Sequence, residues 1–259
     1  GCSERAELQQ RAREALRLHP QPAGRGVAQI ERQGHVALLL TPAAPQQAGP
    51  LPLLVVLHGA GKTDQVISSM VGEHLEVARK HNVLVLVPEA EDHTWDLVTS
   101  GQREDLDFIA FAIDEVRSRY RVDDGRIAVL GHSDGASYGL SLVLNNPEVF
   151  QAAMARAAGF IVYEPSLLPA DAPKPRLFVE YGTKDELFDF NSIGLGNKHR
   201  LQRAGCSMEF HADEGGGHNG RADFTLDALA FWAAAAGAAA LARGGRGVGL
   251  PGGRRVRGA

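Results

Sequence analysis

The chemistry in this 259-residue chain gathers around one serine. Gly131-His132-Ser133-Asp134-Gly135 spells G-x-S-x-G, and its setting carries more weight than its letters. The apolar run Arg126 to Leu130 leads into it as a strand, and a helical pattern from Ala136 to Asn145 leads out. A sharp strand-to-helix turn lifts the serine hydroxyl above the sheet, and flanking glycines remove Cβ atoms that would collide there. The helix that follows aims its N-terminal amides, with their partial positive charge, at a reacting oxygen. The chemistry implied is nucleophilic attack on an acyl carbonyl. The competing reading is a tight structural turn with an idle serine.

A serine hydroxyl is a weak nucleophile at neutral pH, so it needs a base within reach and an acid to orient that base. The expected chain order is serine, acid, histidine. The strand Arg176 to Tyr181 ends in Gly182-Thr183-Lys184-Asp185, which places Asp185 in a turn at a strand end. The next strand ends in Glu214-Gly215-Gly216-Gly217-His218-Asn219, and the glycine run lets His218 swing over the sheet. Ser133, Asp185 and His218 are the expected catalytic set. Asp189 and, more weakly, Asp213 are rival acids. His211 lies mid-strand, and His58 comes too early in the chain to be the base. Two backbone donors should hold the oxyanion. One is the N–H of Asp134, directly after the nucleophile. The other comes from His58-Gly59-Ala60-Gly61, with Ala60 first and Gly61 second.

The elements that would position these groups alternate. Gly26 to Gln33 and His35 to Leu40 form two strands around a Gly34 turn. Leu51 to Leu57 and Val83 to Val87 are continuous apolar runs, as expected for strands covered on both faces. Ser68 to Lys80 and Glu104 to Tyr120 are helices, the second strongly amphipathic. Phe150 to Ala157, Arg176 to Tyr181 and Ser207 to Ala212 are further strands, and a helix from about Ala222 to Ala242 follows. Alternating buried strands and helices predict an α/β fold, a mostly parallel central sheet with helices on both faces and no large lid. The expected division is an N-terminal helical extension over 1–24, a catalytic domain over 25–242 and a Gly/Arg-rich tail over 243–259.

With 27 basic and 31 acidic side chains the net charge is −4. The last 17 residues hold five arginines and no acid, so the rest carries 22 basic against 31 acidic groups, or −9. An acidic body argues against nucleic-acid binding. Two cysteines, Cys2 and Cys206, make no disulfide framework. Gly1-Cys2-Ser3 resembles the end of a bacterial lipoprotein signal. A lipid on Cys2 would be the route to a membrane and a cell-envelope location. The other reading is an idle cysteine and a cytoplasmic or secreted chain.

Taken together, Leu57-His58-Gly59, Gly131 to Ser137, Gly182-Thr183-Lys184-Asp185 and Gly217-His218 resemble the α/β-hydrolase superfamily. More narrowly they are similar to bacterial carboxylesterase/phospholipase-like and polyhydroxybutyrate-depolymerase-like esterases, over roughly residues 25–240. Thr94-Trp95-Asp96 is also similar to that group. The resemblance implies a Ser-Asp-His hydrolase acting on small or polymeric carboxylic esters without a cofactor. Trp95, Leu187 and Phe188 are the candidates for lining the substrate pocket. Core packing is the competing role for each aromatic ring. The ten histidines are scattered without a metal-binding spacing, so no metal is expected. The same triad on a peptide or amide, or an inactive binding protein, are the alternatives.

Overall fold

A computed structural model describes residues 26–43, 49–99, 103–163 and 168–244. Cys2, the expected N-terminal helical extension over 1–24 and the tail beyond Gly244 lie outside the described residues. Eight strands form one sheet in the order β1-β2-β4-β3-β5-β6-β7-β8. They are β1 (Val27–Arg32), β2 (His35–Leu40), β3 (Leu51–Leu57), β4 (Leu84–Pro88), β5 (Val122–His132), β6 (Ala152–Arg156), β7 (Arg176–Gly182) and β8 (Ser207–Asp213). β1 pairs antiparallel with β2, and β2 with β4. Every pairing from β4 through β3 and β5 to β8 is parallel. The antiparallel edge is a tight hairpin, and Gln33 and Gly34 take positive φ (53° and 92°) as a primed turn demands.

Helices lie in the crossovers between parallel strands, except from β6 to β7, where none is found among the described residues, and a last helix follows β8. They are α1 (Asp64–His81), α2 (Asp96–Thr99), α3 (Glu104–Arg119), α4 (Asp134–Asn145), α5 (Leu195–Arg203) and α6 (Phe224–Gly244). The Thr63 hydroxyl caps α1 by accepting from Val66 N–H at 3.2 Å. β3 reads as an unbroken apolar run because both its faces are covered. Leu53, Val55 and Leu57 join one core cluster with Ile109, Ile113 and Val116 of α3 and Leu140 of α4. Leu54 and Val56 join the other, with Ile67 and Ala78 of α1 and Ala228 and Trp232 of α6. Pro52 is tolerated in this central strand because the β3–β5 register shifts between Leu51 and Leu53.

Four differences from the sequence expectations stand out. β5 starts at Val122 rather than Arg126. A π-type turn at Phe190–Gly194, followed by α5, occupies a stretch where no helix was expected. The short α2 was also unforeseen. The last helix runs to Gly244, two residues into the segment read as tail. No described helix is long and apolar enough to cross a membrane.

Candidate active site

The strand-to-helix turn is built by steric exclusion. β5 ends at His132 and α4 begins at Asp134, leaving Ser133 alone at the corner with φ 55° and ψ −120°. A non-glycine residue there costs about 1–3 kcal/mol, and its surroundings must hold it. A Cβ on Gly131 would stand 2.3 Å from the Gly135 carbonyl oxygen. One on Gly135 would stand 2.4 Å from the Leu57 and His58 carbonyl oxygens. Both flanking glycines are therefore required by backbone contact. Ser133 N–H donates to the Arg156 carbonyl at 2.9 Å, and the Ser133 carbonyl accepts from the Ala136 and Ser137 amides at 3.0 Å each.

The three expected side chains converge. Ser133 Oγ lies 2.9 Å from His218 Nε2. His218 Nδ1 lies 2.9 Å from Asp185 Oδ2 and 3.1 Å from Oδ1. All three residues are buried, Ser133 retaining 9% exposure. Burial pushes the Asp185 carboxyl up, but the Phe188 N–H, His218 and the Leu187 N–H outweigh it and hold it below its ordinary value. Both backbone donors reach Oδ1 at 2.8 Å. The rival acids are committed elsewhere. Asp189 accepts from Ser192 N–H and Oγ–H at 2.8 Å on the surface, and Asp213 faces Arg156 at 3.7 Å. His211 is largely exposed on the edge strand.

The loop after β3 is braced from below. Trp95 Nε1–H donates to the His58 carbonyl at 2.8 Å. The Ala90 N–H donates to His58 Nε2 at 3.0 Å, and His58 Nδ1 lies 2.7 Å from the Gly59 carbonyl. The Gly61 and Lys62 amides both donate to the His93 carbonyl, at 3.0 and 3.1 Å. Gly61 is thus engaged, which leaves Ala60 as the loop's candidate oxyanion donor beside Asp134. The Ala60 and Asp134 amides have no protein acceptor among the described residues. Thr94 Oγ1–H donates to Asp134 Oδ2 at 2.7 Å and ties the segment after β4 to the start of α4.

A family model described as "Putative esterase" matches residues 28–204. The chain belongs to this esterase family. The matched span includes Ser133 and Asp185 and stops before His218. Among curated relatives, "Putative esterase NocK" of Nocardia uniformis subsp. tsuyamanensis is 27% identical over 159 residues, covering 59% of this chain and 45% of that one. The "Acylamino-acid-releasing enzyme" of Rattus norvegicus is 26% identical over 144 residues, covering 54% of this chain and 20% of that one. Each alignment thus spans less than half of the relative's length. The S-formylglutathione hydrolase FrmB of Staphylococcus aureus superposes with a TM-score of 0.58 at 17% identity, covering 80% of this chain and 95% of that one. The architecture is the α/β-hydrolase fold of these esterases.

Within this family member the pocket candidates divide. Trp95 does not line a pocket. It is fully buried, stacked between His58 (4.6 Å) and Tyr138 (5.1 Å), and it supports the loop after β3. Leu187 keeps 65% exposure beside Asp185. The Phe188 ring meets the His218 ring edge-on at 5.1 Å. His132 was not singled out by sequence. Its Nε2 donates to the His218 carbonyl at 3.1 Å, and burial pushes its imidazole down, which favours the neutral ring. Elsewhere, His35, Glu91 and Glu104 bring ligand atoms within 4.8 Å of one another. Ester chemistry at Ser133 requires none of them.

Burial drives the His58 pKa down from 6.5 to about 4. The unfolded chain takes up a proton that the folded one refuses, so stability is lost as pH falls from 6.5 towards 4. For His58 alone the loss is roughly 3 kcal/mol. Urea unfolding at pH 7 and pH 4.5 should show about 2 kcal/mol of that loss, and His58→Gln should shrink it. An undiminished difference in His58→Gln would assign the pH sensitivity to other groups.

Proposed function

We propose that the chain is a serine hydrolase that cleaves carboxylic esters through an acyl-enzyme. The observation that carries this reading is the unbroken Ser133–His218–Asp185 hydrogen-bond chain at a strained strand-to-helix corner. His218 Nε2 takes the Ser133 proton as Oγ bonds to the ester carbonyl carbon. The carbonyl oxygen becomes an oxyanion facing the Ala60 and Asp134 amides, at the N-terminus of α4. As the C–O bond to the alcohol breaks, His218 returns the proton to the leaving oxygen. A water molecule, deprotonated by His218, then attacks the acyl-enzyme, and His218 gives that proton to Ser133 Oγ as the acid is released. Asp185 keeps the imidazole in the tautomer with Nε2 free to accept. Leu187 and Phe188 sit where they would contact the substrate beside the base.

The test is initial rates on p-nitrophenyl esters from acetate to palmitate. Ser133-dependent hydrolysis of some member supports the reading, and the position of the maximum reports pocket depth. No Ser133-dependent rate on any member overturns it. Similarity to the rat acylamino-acid-releasing enzyme over half of this chain favours a second reading, cleavage of blocked amides by the same three residues. Fluorogenic acyl-amino-acid amides separate the two, because amide cleavage needs a poorer leaving group to be protonated.

A further inference from the structure

Arg156, at the C-terminal end of β6, is an expensive residue in an unusual place. Its side chain is 4% exposed, and burial drives its guanidinium down against the opposing pull of Glu180. A buried charge persists when paired and fixed, and its removal strands its partners. Its contacts account for its place. Its main-chain carbonyl accepts the Ser133 N–H at 2.9 Å. Its Nη1 donates to the Arg221 carbonyl at 3.0 Å and lies 3.6 Å from Glu180 Oε1. Its guanidinium also fills the space in front of Gly220, where a Cβ would fall 0.7 Å from Nη2. Glu180, fully buried in β7, accepts from Arg221 Nε–H and Nη2–H at 3.0 and 2.9 Å. Arg221 in turn pairs with Asp227 of α6.

The contacts with Gly220 and Arg221 meet on one loop. Gly220 and Arg221 follow His218 by two and three residues, and Gly220 takes φ +52° as the chain turns away. The loop's upstream side is held by Glu186, which accepts the His218 N–H at 3.1 Å. On its downstream side the guanidinium of Arg156 is the seat. We propose that Arg156 is a positioning residue that sets the Ser133–His218 separation, its carbonyl fixing the serine corner while its guanidinium fixes the histidine loop. The inference rests on the serine-hydrolase reading above. Because Arg156 reaches His218 only indirectly, through Gly220 and Arg221 on one side and Asp213 on the other, its loss acts on the rate of the chemical step and not on substrate binding.

Arg156→Met is expected to lower kcat about 100-fold, as a misplacement of about 1 Å does, while KM stays within about threefold. Arg156→Lys, which keeps a donor near the Arg221 carbonyl, should recover part of that loss. The low-field proton resonance of the His218–Asp185 pair should broaden or vanish in Arg156→Met and return in Arg156→Lys. Gly220→Ala drives the same contact from the other side and serves if Arg156→Met fails to fold. A folded Arg156→Met, or in its place a folded Gly220→Ala, with kcat within about threefold of wild type and an intact resonance overturns the proposal. If the wild-type chain hydrolyses no ester, the functional reading has failed, and the resonance alone decides whether Arg156 holds His218.

Discussion

Ser133→Ala should fold like the wild type and hydrolyse esters slower by on the order of a millionfold. The size of the fall follows from the unit in which Ser133 sits. Its Oγ is placed both to attack a carbonyl and to pass a proton to His218 at 2.9 Å. Without it, His218 and Asp185 retain their geometry and have no nucleophile to activate. What survives is the rate that backbone donors and bound water support, which is small but above the uncatalysed reaction. The fold should not suffer, because the corner is held by main-chain groups that alanine keeps. Ser133 N–H still meets the Arg156 carbonyl, and its own carbonyl still accepts from the Ala136 and Ser137 amides. The strained φ remains in the variant, so its thermal midpoint should match the wild type. The readouts are ester turnover, the thermal midpoint and covalent labelling by a fluorophosphonate. Turnover and labelling that persist in the folded variant would move the nucleophile away from Ser133.

Much of this site was legible because local chemistry dictated it. The apolar runs of β3 and β4 announce strands covered on both faces. Gly131 and Gly135 announce a corner at which no Cβ fits. Asp185 and His218 follow two later strands, and parallel pairing of β7 with β8 brings their C-terminal ends together. Elements that depend on partners were harder. β5 begins four residues early because polar Asp123, Asp124 and Gly125 mask its start. The π-type turn and α5 carry Gly194 and Gly196, which speak against a helix, yet the parallel β7–β8 pair needs a crossover. Trp95 could be named but not oriented. Its role depends on the His58 carbonyl, 37 residues away in sequence. Arg156 gave no local signal at all, because its meaning lies in Glu180, Gly220 and Arg221, the last 65 residues away.

Asp185→Asn should lower kcat about ten-thousandfold while leaving KM and the fold nearly unchanged, whereas Asp189→Asn should leave kcat, KM and the fold all nearly unchanged. The prediction turns on which way the new amide faces. Asp185 Oδ1 accepts from the Leu187 and Phe188 amides, both at 2.8 Å. Those two donors will keep the asparagine carbonyl oxygen in that position, since turning the NH₂ towards them would oppose donor to donor. The NH₂ then takes the place of Oδ2, 2.9 Å from His218 Nδ1. A donor there forces His218 Nδ1 to accept, which puts its proton on Nε2, facing the Ser133 hydroxyl. The imidazole is in place but holds a proton where it must receive one. The carboxylate's charge, which would steady the imidazolium during attack, is lost as well. In the wild type that charge persists well into acid, because the two amides and His218 hold the Asp185 pKa below its ordinary value. The stability this lowering contributes is present above the ordinary carboxylate range and is lost only as pH falls through the depressed folded value. An acid limb of activity at mildly acidic pH therefore belongs to groups other than Asp185. A folded Asp185→Asn enzyme within about tenfold of wild type, paired with a large loss in Asp189→Asn, would transfer the orienting role to Asp189. The two amide bonds at Oδ1 would then serve only to shape the turn after β7.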